Sequence, residues 1–205
     1  MIAGLPDNID DLKGFLAQDE AEALHRHATE SCALGPVLEI GSYCGKSTIY
    51  LGLAAREQNS TVFALDHHRG SEEHQPGEMF HDPDLYDAGS DGIDTFREFR
   101  RNVRGAGVEE QVVPLVAASS VAARDWRTPL GMVFIDGGHS LDAALEDYRC
   151  WASHIVRGGI LAIHDVYPNP HEGGQAPWAV FQMARDSGLF AELGRVRSLG
   201  LLRRL

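Results

Sequence analysis

The sequence predicts an open, mostly parallel α/β sheet with helices on both faces. Two observations predict it. Short apolar runs alternate five times with helix-length segments, and four of those runs stop at polar side chains: Asp66, Ser119, Asp136 and the pair His164-Asp165. A third observation says where a ligand would sit. The first run, Val37–Ile40, breaks into a glycine turn from Gly41 to Gly45 that feeds a helix-compatible segment, Thr48 to Ala55. Glycines permit a tight turn, and the first turn of the helix offers unpaired N–H groups. In open α/β sheets, ligands bind beyond the carboxyl ends of the strands.

The elements follow in order. Residues 1–18 are a mixed start with Pro6 and several acids, and residues 1–34 as a whole read as an N-terminal helical extension of one domain spanning 1–205. Asp19 to Ala33 has Ala23, Leu24, His27 and Ala28 spaced for one helical face, and Gly35-Pro36 ends it. After the Val37–Ile40 strand, a helix is expected from Ser47 to Gln58 and a second strand from Thr61 to Leu65, ending at Asp66. Residues 67–93 are polar, rich in His, Gly, Pro and Asp, and too long for an ordinary connection, which marks a lid or substrate loop. A helix from Ile93 to Gly105, a strand from Gln111 to Val116 and a short helix capped by Ser119 come next. Gly131–Ile135 is the fourth strand, Ser140–His154 a helix, and Gly158-Gly159 a turn into a fifth strand, Ile160–Ile163. A glycine- and proline-rich loop, 168–177, precedes a helix over Trp178–Ser187. The basic, apolar tail reads as two closing strands, antiparallel to each other.

Bulk composition narrows the function. With 205 residues and 43% hydrophobic content the chain can bury a full core. Lys plus Arg is 18 against 30 for Asp plus Glu, a formal charge of −12, which argues against a general nucleic-acid binder. An anionic acceptor would need local cations, and the 67–93 loop has only Arg69, so a neutral acceptor is favoured. Cys32, Cys44 and Cys150 are isolated and odd in number, which suggests reduced thiols in a cytoplasmic protein. No window approaches a membrane span, and no signal-peptide pattern is visible. The apolar tail and the N-terminal helix are the expected surfaces for a homodimer.

Three cofactors share such an opening. The dinucleotide fingerprint G-x-G-x-x-G is absent, because three residues separate Gly41 from Gly45. Gly41-x-x-x-Gly45-Lys46-Ser47 is one residue short of a phosphate-binding loop. S-adenosylmethionine needs no polyphosphate nest. It needs close backbone approach, a group for its ammonium end and an acid for its ribose. The glycine turn, Glu39 and Asp66 supply these, with Ser119 near adenine.

The set E-I-G-S-Y-C-G-K-S-T, A-L-D, V-F-I-D-G-G-H-S and G-G-I-L-A-I-H-D, over roughly residues 35–190, resembles the class I S-adenosylmethionine-dependent methyltransferases. More narrowly, it resembles their small bacterial branch of metal-dependent sugar O-methyltransferases from macrolide and mycobacterial polysaccharide pathways. The resemblance implies a Rossmann-like fold and cofactor contacts from Glu39, Gly41, Ser42, Gly45, Ser47, Thr48, Asp66, His67, Ser119 and Asp136. It also implies a small-molecule acceptor, a neutral sugar or glycoside, with no nucleic acid and no membrane.

The chemistry is an in-line transfer of methyl to an alcohol oxygen, which must be aligned and deprotonated. Asp136 and Asp165 would close adjacent strands, so their carboxylates can converge on one divalent ion, Mg²⁺ or Mn²⁺ as its substitute. His164 is a third metal candidate; related catechol-type enzymes carry a second acidic ligand at that position. His139 follows Asp136 after two glycines and is the expected general base, in the D-x-x-H position where the resembled sugar methyltransferases place a catalytic histidine. His68, His81, His171, Tyr43 and Trp178 are candidate acceptor contacts. Three other readings stay open: methylation of a catechol or small phenol, a P-loop-like nucleotide-binding protein, and a scaffold that keeps the fold and binds the cofactor without turnover.

Overall fold

The computed structural model describes residues 2–71, 82–89 and 91–205. Helix α1 (Gln18–Cys32) precedes β1 (Val37–Ile40), α2 (Lys46–Glu57) and β2 (Val62–Asp66). A small antiparallel pair, β3 (Tyr86–Asp87) and β4 (Gly92–Ile93), lies in the region expected to be a lid. Then come α3 (Phe96–Gly105), β5 (Val112–Val116), α4 (Ser119–Ala123), β6 (Leu130–Ile135), α5 (Leu141–Trp151), β7 (Ile155–Ile163) and α6 (Ala176–Asp186). Strands β8 (Phe190–Val196) and β9 (Leu199–Arg204) close the chain.

Seven strands form one sheet in the order β5-β2-β1-β6-β7-β9-β8. The first five are parallel, and β9 runs antiparallel to both β7 and β8. The Rossmann-like class I fold expected from the sequence is present. Alternation along the strands divides the core in two. Val37, Val62, Met132, Phe134 and Ile160 pack under α1, α2 and α3. Leu38, Ile40, Leu65, Val133, Ile135 and Leu161 pack under α4, α5 and α6. Trp151, fully buried on α5, is the largest side chain of the second core.

Two local expectations need correction. Gly158 and Gly159 lie inside β7, not before it. A Cβ at Gly159 would meet the Gly131 carbonyl oxygen at 2.6 Å, so Gly159 serves a close approach of β7 to β6 beside the register shift at Leu130/Met132. Ser119 is not the cap of α4, which starts from Ala118 with no side-chain cap. The apolar tail is consumed internally: Leu199, Leu201 and Leu202 are buried in β9 between β7 and β8, and Ala21, Leu24 and Ala28 of α1 are buried in the first core. Leu34, Leu193 and Leu205 remain exposed beside these buried residues. Among the described residues no helix is long and apolar enough to cross a membrane.

Candidate active site

Strand order reverses between β1 and β6, because the chain winds outward from β1 through β2 to β5 and then returns to the other side. A crevice forms at the carboxyl ends of such a pair. There lies a cleft of about 400 Å³. Its walls come from the turn after β1, the ends of β2, β5, β6 and β7, and from Phe15 and Leu16 of the N-terminal segment.

The turn after β1 is held by backbone crossing. Gly41 has φ +89°, and a Cβ there would lie 2.0 Å from the Asp136 carbonyl oxygen. Gly45 also has φ +89°, and leads into α2. Tyr43 between them has φ +46°, an uncommon angle for an aromatic residue. Asp66 secures it: one carboxylate oxygen accepts the Tyr43 N–H at 2.8 Å, and the other accepts the His68 N–H at 2.7 Å. A carboxylate has about four acceptor positions. Two are used here, and Asp66 still lines the cleft.

Glu39 is fully buried under the start of α2 and does not line the cleft. Its oxygens accept the Ser47 hydroxyl at 2.6 Å and the Thr48 hydroxyl at 2.5 Å. Burial raises its pKa, and those hydroxyls only partly offset this, leaving it at about 7. Its role seen here is to pin the glycine turn and helix start from below. Of the other expected cofactor residues, Gly41, Ser42, Ser47, His67, Ser119 and Asp136 line the cleft, while Gly45 and Thr48 do not. Ser119 accepts the Trp151 indole N–H at 3.1 Å and hydrogen-bonds to Asp147.

At the ends of β6 and β7 four polar groups converge. Asp136, His164 and Asp165 each bring a ligand atom within 4.8 Å of the others. His164 Nδ1 lies 3.0 Å from Asp136 Oδ1 and 3.5 Å from Asp165 Oδ2. His139 Nε2 lies 2.9 Å from Asp165 Oδ2. Neighbouring donors around an ion with bonds of about 2.1 Å are separated by about 3 Å, so this triad fits a small divalent ion. Asp165 has φ +56°, a strained backbone placed at the site. Burial would lower the His164 pKa, but the Asp136 charge and hydrogen bonds with Asp136, Asp165 and Glu20 outweigh it and hold the ring well above its ordinary value. Burial would raise Asp165; hydrogen bonds from His139 and His164 instead hold it well below the carboxylate range.

The acceptor candidates divide. Tyr43 lines the cleft, its ring 6.4 Å from that of Phe15. His68 does not line it: the ring is buried against Phe96 and Phe99, with Nδ1 2.7 Å from the Thr95 hydroxyl. Trp178 stacks on Phe181 in the second core, and His171 is exposed on the 168–177 loop, outside the cleft. His81 lies outside the described residues, as do residues 72–80 and 90 of the proposed lid. Asp82 and Asp84, in the described middle of this stretch, pair with Lys13 at 2.5 and 3.2 Å, tying that segment to the N-terminal wall.

Four contributors escaped sequence reasoning. Phe15 and Leu16 wall the cleft, Asp147 reaches it from α5, and Glu20 backs His164 from α1 at 3.3 Å. Only Asp147 left a trace in the sequence, as an acid on a helix whose other core-facing positions are apolar.

A family model described as a methyltransferase domain matches residues 38–166. The chain belongs to this family. The Gly41–Gly45 turn, Asp66 and the strand-end triad all fall inside the matched span. Solved structures agree on the fold. The O-methyltransferase NovP superposes with a TM-score of 0.69 at 17% identity, over 91% of this chain and 79% of that one. Cofactor-bound Rv0187 from MTB gives 0.64 at 18% identity, over 98% and 88%. The O-methyltransferase TomG from Streptomyces achromogenes, involved in tomaymycin synthesis and solved with SAM, gives 0.63 at 15%, over 93% and 81%. This methyltransferase therefore has the class I, S-adenosylmethionine-dependent architecture together with a candidate metal triad.

Proposed function

We propose that this methyltransferase transfers the methyl group of S-adenosylmethionine to a hydroxyl of a neutral sugar or glycoside, with His139 as general base. The observation that carries the reading is the convergence of Asp136, His164 and Asp165 at the ends of adjacent strands, with His139 2.9 Å from Asp165. When bound, the cofactor supplies an activated methyl on a sulfonium, and a divalent ion makes an alcohol more acidic.

The remaining work belongs to the chain. Asp66 and the Gly41–Gly45 turn hold the nucleoside end of the cleft. Asp136, Asp165 and His164 hold the ion. Asp165 accepts from His139 Nε2–H, which fixes the ring and makes Nδ1 the nitrogen that takes the acceptor proton. Asp66, Asp136, Asp147 and Asp165 line the cleft, with Lys46 its lysine, so a neutral acceptor suits it better than an anionic one. A catechol or small phenol is the second reading, favoured by the Phe15 and Tyr43 rings at the cleft wall.

The test is calorimetric titration of S-adenosylmethionine with and without EDTA, on wild type and Asp136→Ala, followed by activity on neutral glycosides and on catechols. Cofactor binding that survives EDTA, with ion binding lost in the variant, supports the site. Failure to bind the cofactor in either buffer overturns the reading. Turnover of catechols alone replaces the sugar by the phenol.

A further inference from the structure

Glu20 belongs to α1, 144 residues from His164 in sequence, yet its side chain is only 4% exposed and both its oxygens are engaged. Oε1 accepts the Ser198 N–H at 2.8 Å and the Ser198 hydroxyl at 2.7 Å, in the turn joining β8 to β9. Oε2 accepts the Ala17 N–H at 3.1 Å and lies 3.3 Å from His164 Nε2. The opposite ring nitrogen, Nδ1, faces Asp136 and Asp165. Three separate elements, α1, β7 and the closing hairpin, thus fix one imidazole, with one nitrogen on a buried carboxylate and the other between the two strand-end acids.

An outer carboxylate that takes one ring N–H fixes the tautomer and aims the other nitrogen's lone pair at the ion. We propose that Glu20 is a positioning residue that makes His164 a nitrogen ligand through Nδ1, so that the site takes a first-row transition ion such as Mn²⁺ in preference to Mg²⁺. The inference rests on the metal reading above and narrows it. Mg²⁺ favours an all-oxygen shell and holds its waters; an imidazole at one of three protein positions disfavours it relative to a softer ion. Glu20 cannot itself be a ligand in this arrangement, because the His164 ring stands between it and the two aspartates.

The test uses the full chain and Mn²⁺ as probe. Binding is followed by loss of the free-ion paramagnetic resonance signal, with Mg²⁺ as competitor, and the bound ion is examined for nitrogen couplings. The expected result is Mn²⁺ binding at least about tenfold tighter than Mg²⁺. Imidazole nitrogen coupling should persist in His139→Ala and vanish in His164→Asp. Glu20→Gln should weaken Mn²⁺ by about 10- to 100-fold, and should not weaken it in the His164→Asp background. If Glu20→Gln does not fold, the couplings in wild type and His139→Ala decide the matter. Bound Mn²⁺ without nitrogen coupling, or with coupling lost in His139→Ala, overturns the inference and leaves the metal reading standing. S-adenosylmethionine binding with no affinity for either ion overturns both.

Discussion

Replacing Gly41 by alanine separates two reasons for a glycine at the head of the site. One is ligand approach, which the sequence suggests. The other is backbone crossing, which the geometry supports. The added Cβ would stand 2.0 Å from the Asp136 carbonyl oxygen and 2.9 Å from the Gly137 nitrogen, where ordinary contacts begin at 3.4 Å. The two chain segments would have to part by about 1.4 Å, against a densely packed strand pair. Overpacking of this kind costs about 1–3 kcal/mol. Alanine at φ +89° adds about 1–2 kcal/mol. The sum is a destabilisation of about 2–5 kcal/mol, readable as a shift in the urea midpoint at unchanged slope. The same movement displaces Asp136, so Mn²⁺ affinity and S-adenosylmethionine affinity should fall together, each by tenfold or more. If Gly41→Ala keeps its urea midpoint and its ion affinity and loses only cofactor binding, the crossing argument is wrong and ligand approach is the reason for the glycine.

Three further predictions test other parts of the site. Asp147 is buried enough for its pKa to be pushed up from 3.8 to about 6, partly offset by the Ser119 hydroxyl. A raised folded pKa gives stability that is whole below the unfolded value and lost as pH rises through about 6, a loss of up to about 3 kcal/mol. Asp147→Asn should therefore flatten the stability profile between pH 4 and pH 8, and a wild-type-to-variant difference that stays constant across that range would refute the assignment. His139→Ala should lower kcat by about 10²–10⁴ with S-adenosylmethionine affinity retained, measured by single turnover at saturating acceptor; a kcat within threefold of wild type removes His139 as base. Asp66→Ala leaves the Tyr43 and His68 N–H groups without their acceptor, at a cost of at least one charge-assisted bond, about 1.5–3 kcal/mol, and should also weaken cofactor binding. Unchanged urea stability in that variant would mean that the loop does not depend on this carboxylate.

The placement of the candidate site residues was legible because period and punctuation survive in sequence. Apolar runs bounded by glycine read as strands, and a polar residue after a buried run can only sit at a strand end. That is why the sequence alone sets Asp66, Asp136, His164 and Asp165 at one rim. Orientation was not legible. Glu39 and His68 have the right composition and the right neighbours in sequence, yet Glu39 turns beneath α2 and His68 turns into Phe96 and Phe99. A strand's two faces are assigned by alternation, but a side chain at a turn has no such rule, and φ of +59° at His68 sends it inward. The short helix at Ser119 was found, while the work of its hydroxyl was not, because Trp151 and Asp147 reach it from another element.

The larger omission is the N-terminal extension, and it has a physical cause. Helical periodicity says which face of α1 is apolar but not which strand that face will cover. Glu20 sits at a position where an acid is expected anyway, in the first turn of a helix and three residues after Ala17. Its local role as a cap conceals its distant one, since the same Oε2 that accepts the Ala17 N–H also faces His164. Phe15, 68% exposed, would be passed over in any sequence reading as a solvent-facing residue, yet it walls the cleft. A histidine at position 164, where related enzymes carry an acid, looks in isolation like a weakened metal site. With Glu20 behind it the substitution is coherent. An acid at that position would face a buried carboxylate across about 3 Å with no cation between them, whereas an imidazole satisfies the glutamate with one nitrogen and offers the other to the site. Glu20 and His164 therefore belong together, and neither is interpretable without the fold that joins them.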